Sequence, residues 1–381
     1  MALSLDALVP TALRPSHRIR RLPRHLRAVL HHSTPRRLAN LLLVESERQL
    51  GLTKLRGRPY VIFVDPINLC NLRCPLCATG MGEINRVRQK MDLEHFKRVI
   101  DAMSPWAYEV SLYNWGEPLL HKDIFEMVGY ARAKNLSTVM SSHLSVKPHL
   151  MDSLLESGLE ELTVSIDGVT QETYEKYRVN GKLDLVFSNL RHLLQRRAEL
   201  GLKTPSVEWQ FIVFKHNEHE VEDARRLAGE IGVDLIRFIP AGLPFDADPE
   251  RKRELARTWF STKAEMRYQD PDSASFVNAP FRQRGGCYYL YRSATVNPDL
   301  GIAPCCIVYN DQYDFGSLLQ KDFNAIWNND RYRSARAEFS RIGVSPGKQT
   351  VCKSCQIFDK PGFHLRGASA RDVKAEPAPE A

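Results

Sequence analysis

Along the middle of the chain, short uninterrupted apolar runs alternate with longer stretches in which apolar residues recur every three or four positions. The short runs predict buried strands at 60–64, 109–112, 137–140, 162–166, 207–213 and 235–239. The stretches between them predict amphipathic helices, such as the one with Phe96, Val99 and Ile100 behind the N-cap residue Asp92. This alternation favours an α/β fold with a parallel sheet and outer helices. Six units are fewer than the eight of a closed barrel.

Composition and charge narrow the class of protein. The chain has 381 residues, of which 43% are hydrophobic and 26% charged, as in ordinary globular proteins. No apolar run approaches the ~18 residues of a membrane span, and the first residues lack the order of a signal peptide. We therefore expect a cytoplasmic protein. In a reducing compartment, its eight cysteines favour metal binding over disulfides.

Much of the net charge of +8 lies in an arginine-rich segment between residues 14 and 58. Such a segment is compatible with a nucleic-acid or anionic-lipid surface, or with an organelle transit peptide. Helical apolar spacing at Leu38, Leu41, Leu42 and Leu50 favours instead a helical extension that packs on the core. Of the other partners, peripheral contact with a membrane stays open, and nucleic acid is not expected.

The sequence divides into five parts. We expect a basic helical extension at 1–58, a core at 59–240, a linker at 241–286, a cysteine-bearing domain at 287–363 and a disordered tail at 364–381. The linker is rich in Pro, Asp and Arg, and one helical piece is expected around 253–267.

Three cysteines, Cys70, Cys74 and Cys77, stand in one CxxxCxxC run directly after the first predicted strand. Three thiolates on one loop suit a [4Fe–4S] cluster that keeps one iron open for a small molecule, because four thiolates would close it. The same residues could form part of a zinc site, although zinc usually takes four ligands.

This motif resembles the signature of the radical S-adenosylmethionine (SAM) enzymes. The resemblance implies a partial (β/α)6 TIM-like barrel in which SAM chelates the open iron through its amino and carboxylate groups. It also implies reductive cleavage of SAM to methionine and a 5′-deoxyadenosyl radical. Leu76 departs from the family, which often has an aromatic residue before the third cysteine.

Ligands of parallel α/β sheets bind at the carboxyl ends of the strands, so residues just past the second predicted strand are candidate SAM contacts. There, Trp115-Gly116-Glu117-Pro118 resembles the family's GGEP motif, with Trp115 in place of the first glycine. The resemblance implies that Gly116 and Glu117 contact the SAM ammonium group.

Two further strand ends carry candidates. After the fourth predicted strand, Ser165, Asp167 and Arg178 resemble a Ser-x-Asp-Gly…Arg pattern of the family. The resemblance implies that Ser165 reaches the ribose and that the two-pronged guanidinium of Arg178 meets the SAM carboxylate. His143 stands where the family often has Asn, and its role as a structural hydrogen-bonding group or a catalytic base stays open.

The remaining cysteines are Cys287, Cys305, Cys306, Cys352 and Cys355. The CxxC pair at 352–355 with two distant cysteines makes a full set of four ligands for zinc or for an iron–sulfur cluster.

The context of Cys305 favours a cluster. The run from 296 to 306 resembles the hairpin of the SPASM and twitch domains that follow radical SAM barrels, which implies one auxiliary [4Fe–4S] cluster. Alignment on Pro304 makes Cys305 the fourth ligand, and alignment on Gly301 makes it Cys306. The Pro-Cys junction favours the set Cys287, Cys305, Cys352 and Cys355.

The resemblance implies an oxidoreductase that takes a hydrogen atom from its substrate and receives electrons from a donor such as flavodoxin or ferredoxin. The auxiliary cluster would accept the substrate's electron or pass electrons to the first cluster. We expect a small-molecule or sugar-like substrate, because 1–58 lacks the strands of a peptide-recognition winged helix. The alternative is a maturase that crosslinks or epimerises a ribosomally made peptide. A non-catalytic iron–sulfur electron-transfer or binding protein is more distant, because it needs no Gly-Glu-Pro loop. No catalytic side chain is assigned.

Overall fold

The computed structural model describes residues 27–267, 270–272, 287–340 and 346–355. The predicted tail at 364–381 and the arginines before residue 27 lie outside these ranges. No helix in the described part of the chain combines the length and the apolar content needed to cross a bilayer.

One sheet forms the centre of the described structure, with the strand order β6-β5-β4-β3-β2-β1-β7-β8-β9. Its strands are β1 (Val61–Val64), β2 (Glu109–Ser111), β3 (Ser137–Ser142), β4 (Glu161–Ser165), β5 (Ser206–Val213), β6 (Leu235–Pro240), β7 (Ser293–Val296), β8 (Gly301–Ala303) and β9 (Gly316–Ser317).

Twelve helices of this part of the chain surround the sheet or follow it. They are α1 (Pro35–Leu50), α2 (Ala78–Met81), α3 (Leu93–Met103), α4 (Ile124–Ala133), α5 (Leu150–Glu156), α6 (Gln171–Tyr177), α7 (Leu183–Glu199), α8 (Val221–Ile231), α9 (Pro249–Trp259), α10 (Tyr288–Arg292), α11 (Phe323–Trp327) and α12 (Asp330–Ala337). Residues 27–32 are also helical.

Strands β1 to β6 are parallel and neighbour one another in chain order. The six predicted strands are therefore confirmed, and the open sheet is a partial TIM-like barrel. Helix α3 shows why a helix forms where the sequence predicts one. The Asp92 side chain accepts the Glu94 N–H at 2.9 Å and caps the helix, and the predicted apolar residues Phe96, Val99 and Ile100 are buried. Side chains such as Ile62 and Trp209 fill the core between sheet and helices.

The cysteine-bearing domain continues this sheet. Strand β7 pairs in parallel with β1, with Val61 opposite Ser293, and β8 and β9 follow as antiparallel strands. Behind them, the fully buried Arg336 donates to the Leu290 carbonyl at 3.0 Å and lies 4.4 Å from the centroid of Trp327. The predicted domain boundaries at 241 and 287 stay predictions.

The helix of the linker corrects the sequence expectation. It spans Pro249–Trp259, and the predicted piece around 253–267 was placed too late. Its start is fixed by the Asp248 side chain, which accepts the N–H groups of Glu250 and Arg251, and by Pro249 in the first turn. The charged sequence offers little apolar periodicity, so only this cap marks the helix.

Helix α1 corrects a second expectation. Its buried side is polar, because the Arg37 guanidinium donates to the carbonyls of Ser104 and Lys134, which cap the ends of α3 and α4. Leu41 is half-buried against the core, but the prediction that its leucine neighbours pack inward was wrong. The exposed ones are Leu38, Leu42, Leu43 and Leu50.

Candidate functional site

The CxxxCxxC loop leaves the carboxyl end of β1 and passes directly into α2 after Cys77. The Cys77 N–H donates to the Cys74 carbonyl at 3.1 Å, and the Leu72 N–H donates to the Cys70 Sγ at 3.4 Å. Cys74 is buried, and the other two thiols are half-buried. Three thiols are thus held on one tight loop at the edge of the sheet where ligands bind.

Burial raises the pKa of Cys70 to about 12 and that of Cys74 to about 11. Thiols in such surroundings ionise when a bound cation stabilises the thiolate. Thiolate sulfur is the ligand that iron–sulfur clusters use, so this donor set fits a cluster. Among the described residues, no three His, Cys, Asp or Glu side chains stand close enough together to hold a single metal ion.

The Gly-Glu-Pro loop lies directly against the segment that leads into Cys70. A Cβ on Gly116 would sit 1.8 Å from the Ile67 carbonyl oxygen and 2.9 Å from that of Leu69. The Glu117 N–H donates to the Leu69 carbonyl at 2.9 Å. The absence of a side chain at Gly116 is therefore required by the contact between two backbones, whatever that residue does toward SAM.

Glu117 and His143 form a buried polar pair beside Cys70. The Oε2 of Glu117 lies 3.1 Å from the His143 Nε2 and accepts the His143 backbone N–H at 3.2 Å. The His143 Nδ1 accepts the Ser145 N–H at 3.0 Å, so Nε2 carries the proton. Burial lowers the pKa of His143, which favours this neutral form. The same Nε2 lies 3.8 Å from the Cys70 Sγ, so His143 connects Glu117 to the cysteine loop.

Asp65 is a part of this site that the sequence interpretation missed. It directly follows β1, and its Oδ2 accepts the Trp115 N–H at 3.4 Å. Burial raises the pKa of Asp65 to about 7, although nearby N–H groups of Trp115 and Gly116 oppose the shift. Asp65 thus holds the start of the Gly-Glu-Pro loop. The strand-end rule used for the other strands would have identified it.

Arg178 lies against the second cysteine of the loop. Its Nε donates to the buried Asp167 at 2.6 Å, and its Nη1 lies 3.9 Å from the Cys74 Sγ. Asp167 is also fixed by the Ile212 N–H at 2.6 Å. One edge of the guanidinium is therefore taken, and the predicted contact between Arg178 and the SAM carboxylate stays a prediction. Ser165, the last residue of β4, lies opposite Gln210 of β5, and its predicted contact with the ribose is likewise untested.

An aromatic cluster covers the apolar side of the cysteine loop. The rings of Tyr177 and Phe214 lie 4.3 Å apart, and the Trp259 ring lies 5.8 Å from that of Tyr177. These rings belong to a cluster that includes Leu72 and Cys74. Because Trp259 belongs to α9, the predicted linker packs on the cysteine loop and helps to exclude water from it.

The five other cysteines belong to three separate segments of the chain. Cys287 precedes α10, and Cys305 and Cys306 follow β8. Cys352 lies in the 3₁₀ helix Val351–Ser354, and Cys355 directly follows it. Burial, followed by the charges of Cys306, Cys355 and Cys352, raises the pKa of Cys305. Burial raises the pKa of Cys306 to about 11, and the charge of Cys287 adds to this shift. These charge effects relate all five cysteines to one another, and the ligand set, with Cys305 or Cys306 as a member, stays a prediction. No disulfide links any of the eight cysteines.

The two cysteine regions are connected through Trp115, the residue that departs from GGEP. Its ring packs edge-on against Tyr309 at a centroid distance of 4.9 Å. With its amide oriented to satisfy both neighbours, Asn114 accepts the Trp115 indole N–H at 3.1 Å and donates to the Cys306 carbonyl at 2.9 Å. The bulky side chain of Trp115 therefore joins the Gly-Glu-Pro loop to the cysteine-bearing domain.

Arg86 makes a second connection. It donates to Asp314 at 2.7 Å and to Asp299 at 2.5 Å, and its side chain is nearly inaccessible to solvent. A Cβ on Gly301 would sit 2.0 Å from the Asp314 carboxylate, so the hairpin needs glycine for this ion pair to form. Both connections fix the cysteine-bearing domain on the barrel.

Comparisons with known proteins agree with this arrangement. A model of the radical SAM superfamily matches residues 64–228, and a model of the SPASM iron–sulfur cluster-binding domain matches residues 287–356. The Fe-coproporphyrin III synthase of Methanosarcina barkeri is 29% identical over 171 residues, which are 44% of this chain and 41% of that protein. The chain thus spans less than half of this relative's length.

Two other proteins match more of their length. The PqqA peptide cyclase of Xanthomonas campestris pv. campestris is 23% identical over 313 residues, 78% of this chain and 79% of that protein. The structure of Streptococcus suis SuiB bound to the precursor peptide SuiA shares the fold, with a TM-score of 0.56 and 15% identity over 84% of this chain and 74% of that chain.

These two matched domains imply a [4Fe–4S] cluster with SAM in the barrel and auxiliary iron–sulfur in the domain that follows. The chain belongs to the radical SAM superfamily and carries a C-terminal SPASM domain.

Proposed function

We propose that this radical SAM enzyme carries out a two-electron oxidation, for which a cluster held by the second cysteine set would supply the acceptor of the electron that the substrate radical gives up. The observation that carries the proposal is the connection of Trp115 through Asn114 to the Cys306 carbonyl. This connection joins the Gly-Glu-Pro loop to the second cysteine set. When bound, the clusters and SAM supply hydrogen-atom abstraction and an acceptor for the second electron, and the substrate also loses a proton.

The residues of the chain bind and orient. Cys70, Cys74 and Cys77 are the ligands that we propose for the first cluster. Gly116 and Glu117 would hold the SAM ammonium group, since Glu117 presents a buried carboxylate there. His143 would keep that carboxylate in place through its Nε2.

At the fourth strand, Ser165 and Arg178 would contact the ribose and the carboxylate of SAM. The rings of Tyr177, Phe214 and Trp259 would exclude water from this side of the site. For the auxiliary cluster, we propose the ligand set Cys287, Cys305, Cys352 and Cys355.

We place the substrate near a cavity of about 630 Å³ between the linker and the auxiliary domain. Its wall includes Asp246, Lys252 and Arg331, so it offers both signs of charge. It also includes Ser354, which lies between Cys352 and Cys355, and the neighbouring helix α9 packs on the first cysteine loop. A cavity of this size accepts a small molecule or part of a peptide.

The sequence favours a small-molecule or sugar-like substrate. A second candidate, oxidative modification of a ribosomally made peptide, is favoured by the match to the PqqA peptide cyclase over 79% of that protein. Flavodoxin or ferredoxin would supply the electron for SAM cleavage in either case.

The test is anaerobic turnover with deuterated candidate substrates, a set of sugar and aminocyclitol alcohols against a set of peptides. We expect deuterium in 5′-deoxyadenosine and a product that has lost two hydrogen atoms. A Cys352→Ala variant should transfer deuterium but accumulate little oxidised product. Full product formation by that variant would contradict the electron-acceptor role.

A further inference from the structure

Helix α1 turns an uncharged apolar side toward solvent. Its leucine face consists of Leu38, Leu42, Leu43 and Leu50, and Leu42 is 67% and Leu50 61% exposed. The other exposed positions of the helix are uncharged except for one, Arg36, whose guanidinium lies 3.8 Å from the centroid of the Trp106 ring. A surface helix of a globular protein normally presents its polar side to water and buries its apolar side. In α1 this arrangement is reversed.

Hydrogen bonds of the buried polar side chains hold α1 in this orientation. The Glu47 carboxylate accepts the N–H groups of Arg56 at 2.7 Å and Gly57 at 3.0 Å, and Asn40 accepts the N–H of Arg58 at 2.8 Å. Arg37 caps the ends of α3 and α4. The helix cannot roll its leucines inward without breaking these buried polar contacts, each of which is costly to leave unmade.

The chain that enters this helix is strongly basic. Residues 1–34, which precede the helix, hold six arginines and one acid, Asp6, and so contribute much of the chain's net charge of +8. At the exit of the helix, Lys54 and Arg56 are also exposed. The leucine face is therefore flanked in sequence by positive charge on both sides.

The positive charge and the exposed leucines together indicate what binds the leucine face. A second copy of the chain carries the same net charge of +8, and the repulsion between like charges opposes that pairing. An anionic bilayer surface takes both features, because leucines enter the boundary of the acyl chains while arginines meet the phosphate groups. We propose that the leucine face of α1 docks this enzyme peripherally on an anionic membrane, to which the positive charge of the chain attracts it.

The test is flotation of the full-length protein with vesicles of phosphatidylcholine alone or with one quarter phosphatidylglycerol. We expect binding to the anionic vesicles, and about tenfold weaker partitioning for Leu42→Glu with Leu50→Glu. Arg18→Glu with Arg20→Glu and Arg21→Glu should weaken it to a similar extent, and added salt should weaken wild-type binding.

Matched controls come from leucines exposed elsewhere, Leu200 and Leu319. Their change to Glu should leave flotation unchanged, and Leu42→Ser with Leu50→Ser provides a milder second variant if the Glu variant does not fold. Equal flotation of wild type and folded leucine variants would overturn the proposal. So would a dimer in light scattering that Leu42→Ser converts to a monomer, since the face would then belong to a second copy.

Discussion

The two cysteine regions of this chain are assembled in different ways. The first comprises three thiols within one loop after β1, and contacts to Glu117, His143 and Arg178 surround it. The second comprises five thiols from three segments that are far apart in the chain, and the first of these segments leads into β7, which extends the barrel sheet beside β1. The first region is a property of a loop, whereas the second is a property of the tertiary fold.

This difference has an energetic consequence. Metal binding that joins distant segments contributes to folding, because the unfolded chain has no preformed site. A cluster on one short loop closes little additional chain. Loss of the second set should therefore destabilise its domain, while loss of the first should remove chemistry and leave the fold intact.

The largest expected effect follows from removing the CxxC pair. Cys352→Ala with Cys355→Ala should lower the iron content from about eight to about four per chain and open the C-terminal region to protease. Cys70→Ala with Cys74→Ala should lose the same amount of iron, from the first cluster, without creating new protease cleavage sites. Iron analysis and limited proteolysis measure both, and equal protease resistance of the two variants would break the comparison.

Within the second set, single substitutions test the choice between neighbouring thiols. We expect Cys305→Ala to lose the auxiliary cluster and Cys306→Ala to keep it. The measurement is the iron content and the electron paramagnetic resonance of the reduced proteins. The reverse pattern would assign Cys306 as the ligand.

The connection between the regions gives a smaller effect. Trp115→Gly restores the residue that the family often has and removes the packing on Tyr309, so we expect about 1–3 kcal/mol of lost stability. Oxidised product should also fall relative to 5′-deoxyadenosine. Trp115→Phe keeps a ring without the indole N–H and serves as the control. An unchanged product ratio in Trp115→Gly would separate the two regions functionally.

The smallest effect concerns His143 in the first region. His143→Phe removes the donor to Glu117 and should raise the dissociation constant of SAM about tenfold, as expected for a hydrogen bond to a charged group. It should also lower the reduction potential of the first cluster, because a donor near the Cys70 sulfur is lost. His143→Asn should recover part of both. Calorimetry and redox titration measure these changes, and a null result for His143→Phe would make the residue purely structural.

The sequence was sufficient wherever the signal was local. The six strands, α3 with its Asp92 cap, and the position of the cysteine loop at a strand end all follow from periodicity and spacing. What could not be predicted depends on distant partners. The inward polar side of α1 is set by the carbonyls of Ser104 and Lys134, which are far away in the chain.

The same reason applies to the site. Trp115 reads as a mismatch to GGEP until Tyr309 and Cys306 are placed beside it. The pairing of β7 with β1 likewise carries no local signal, because parallel neighbours are chosen by the whole sheet. Asp65 is different, since its place after β1 could have been used.

The most direct test of the account is formation of 5′-deoxyadenosine from SAM by the anaerobically reconstituted, reduced protein. We predict that wild-type protein forms it and that Cys70→Ala, Cys74→Ala and Cys77→Ala each abolish it while the auxiliary iron is retained. Continued formation by any of these variants, or none by wild type with both clusters loaded, would contradict the assignment of this loop.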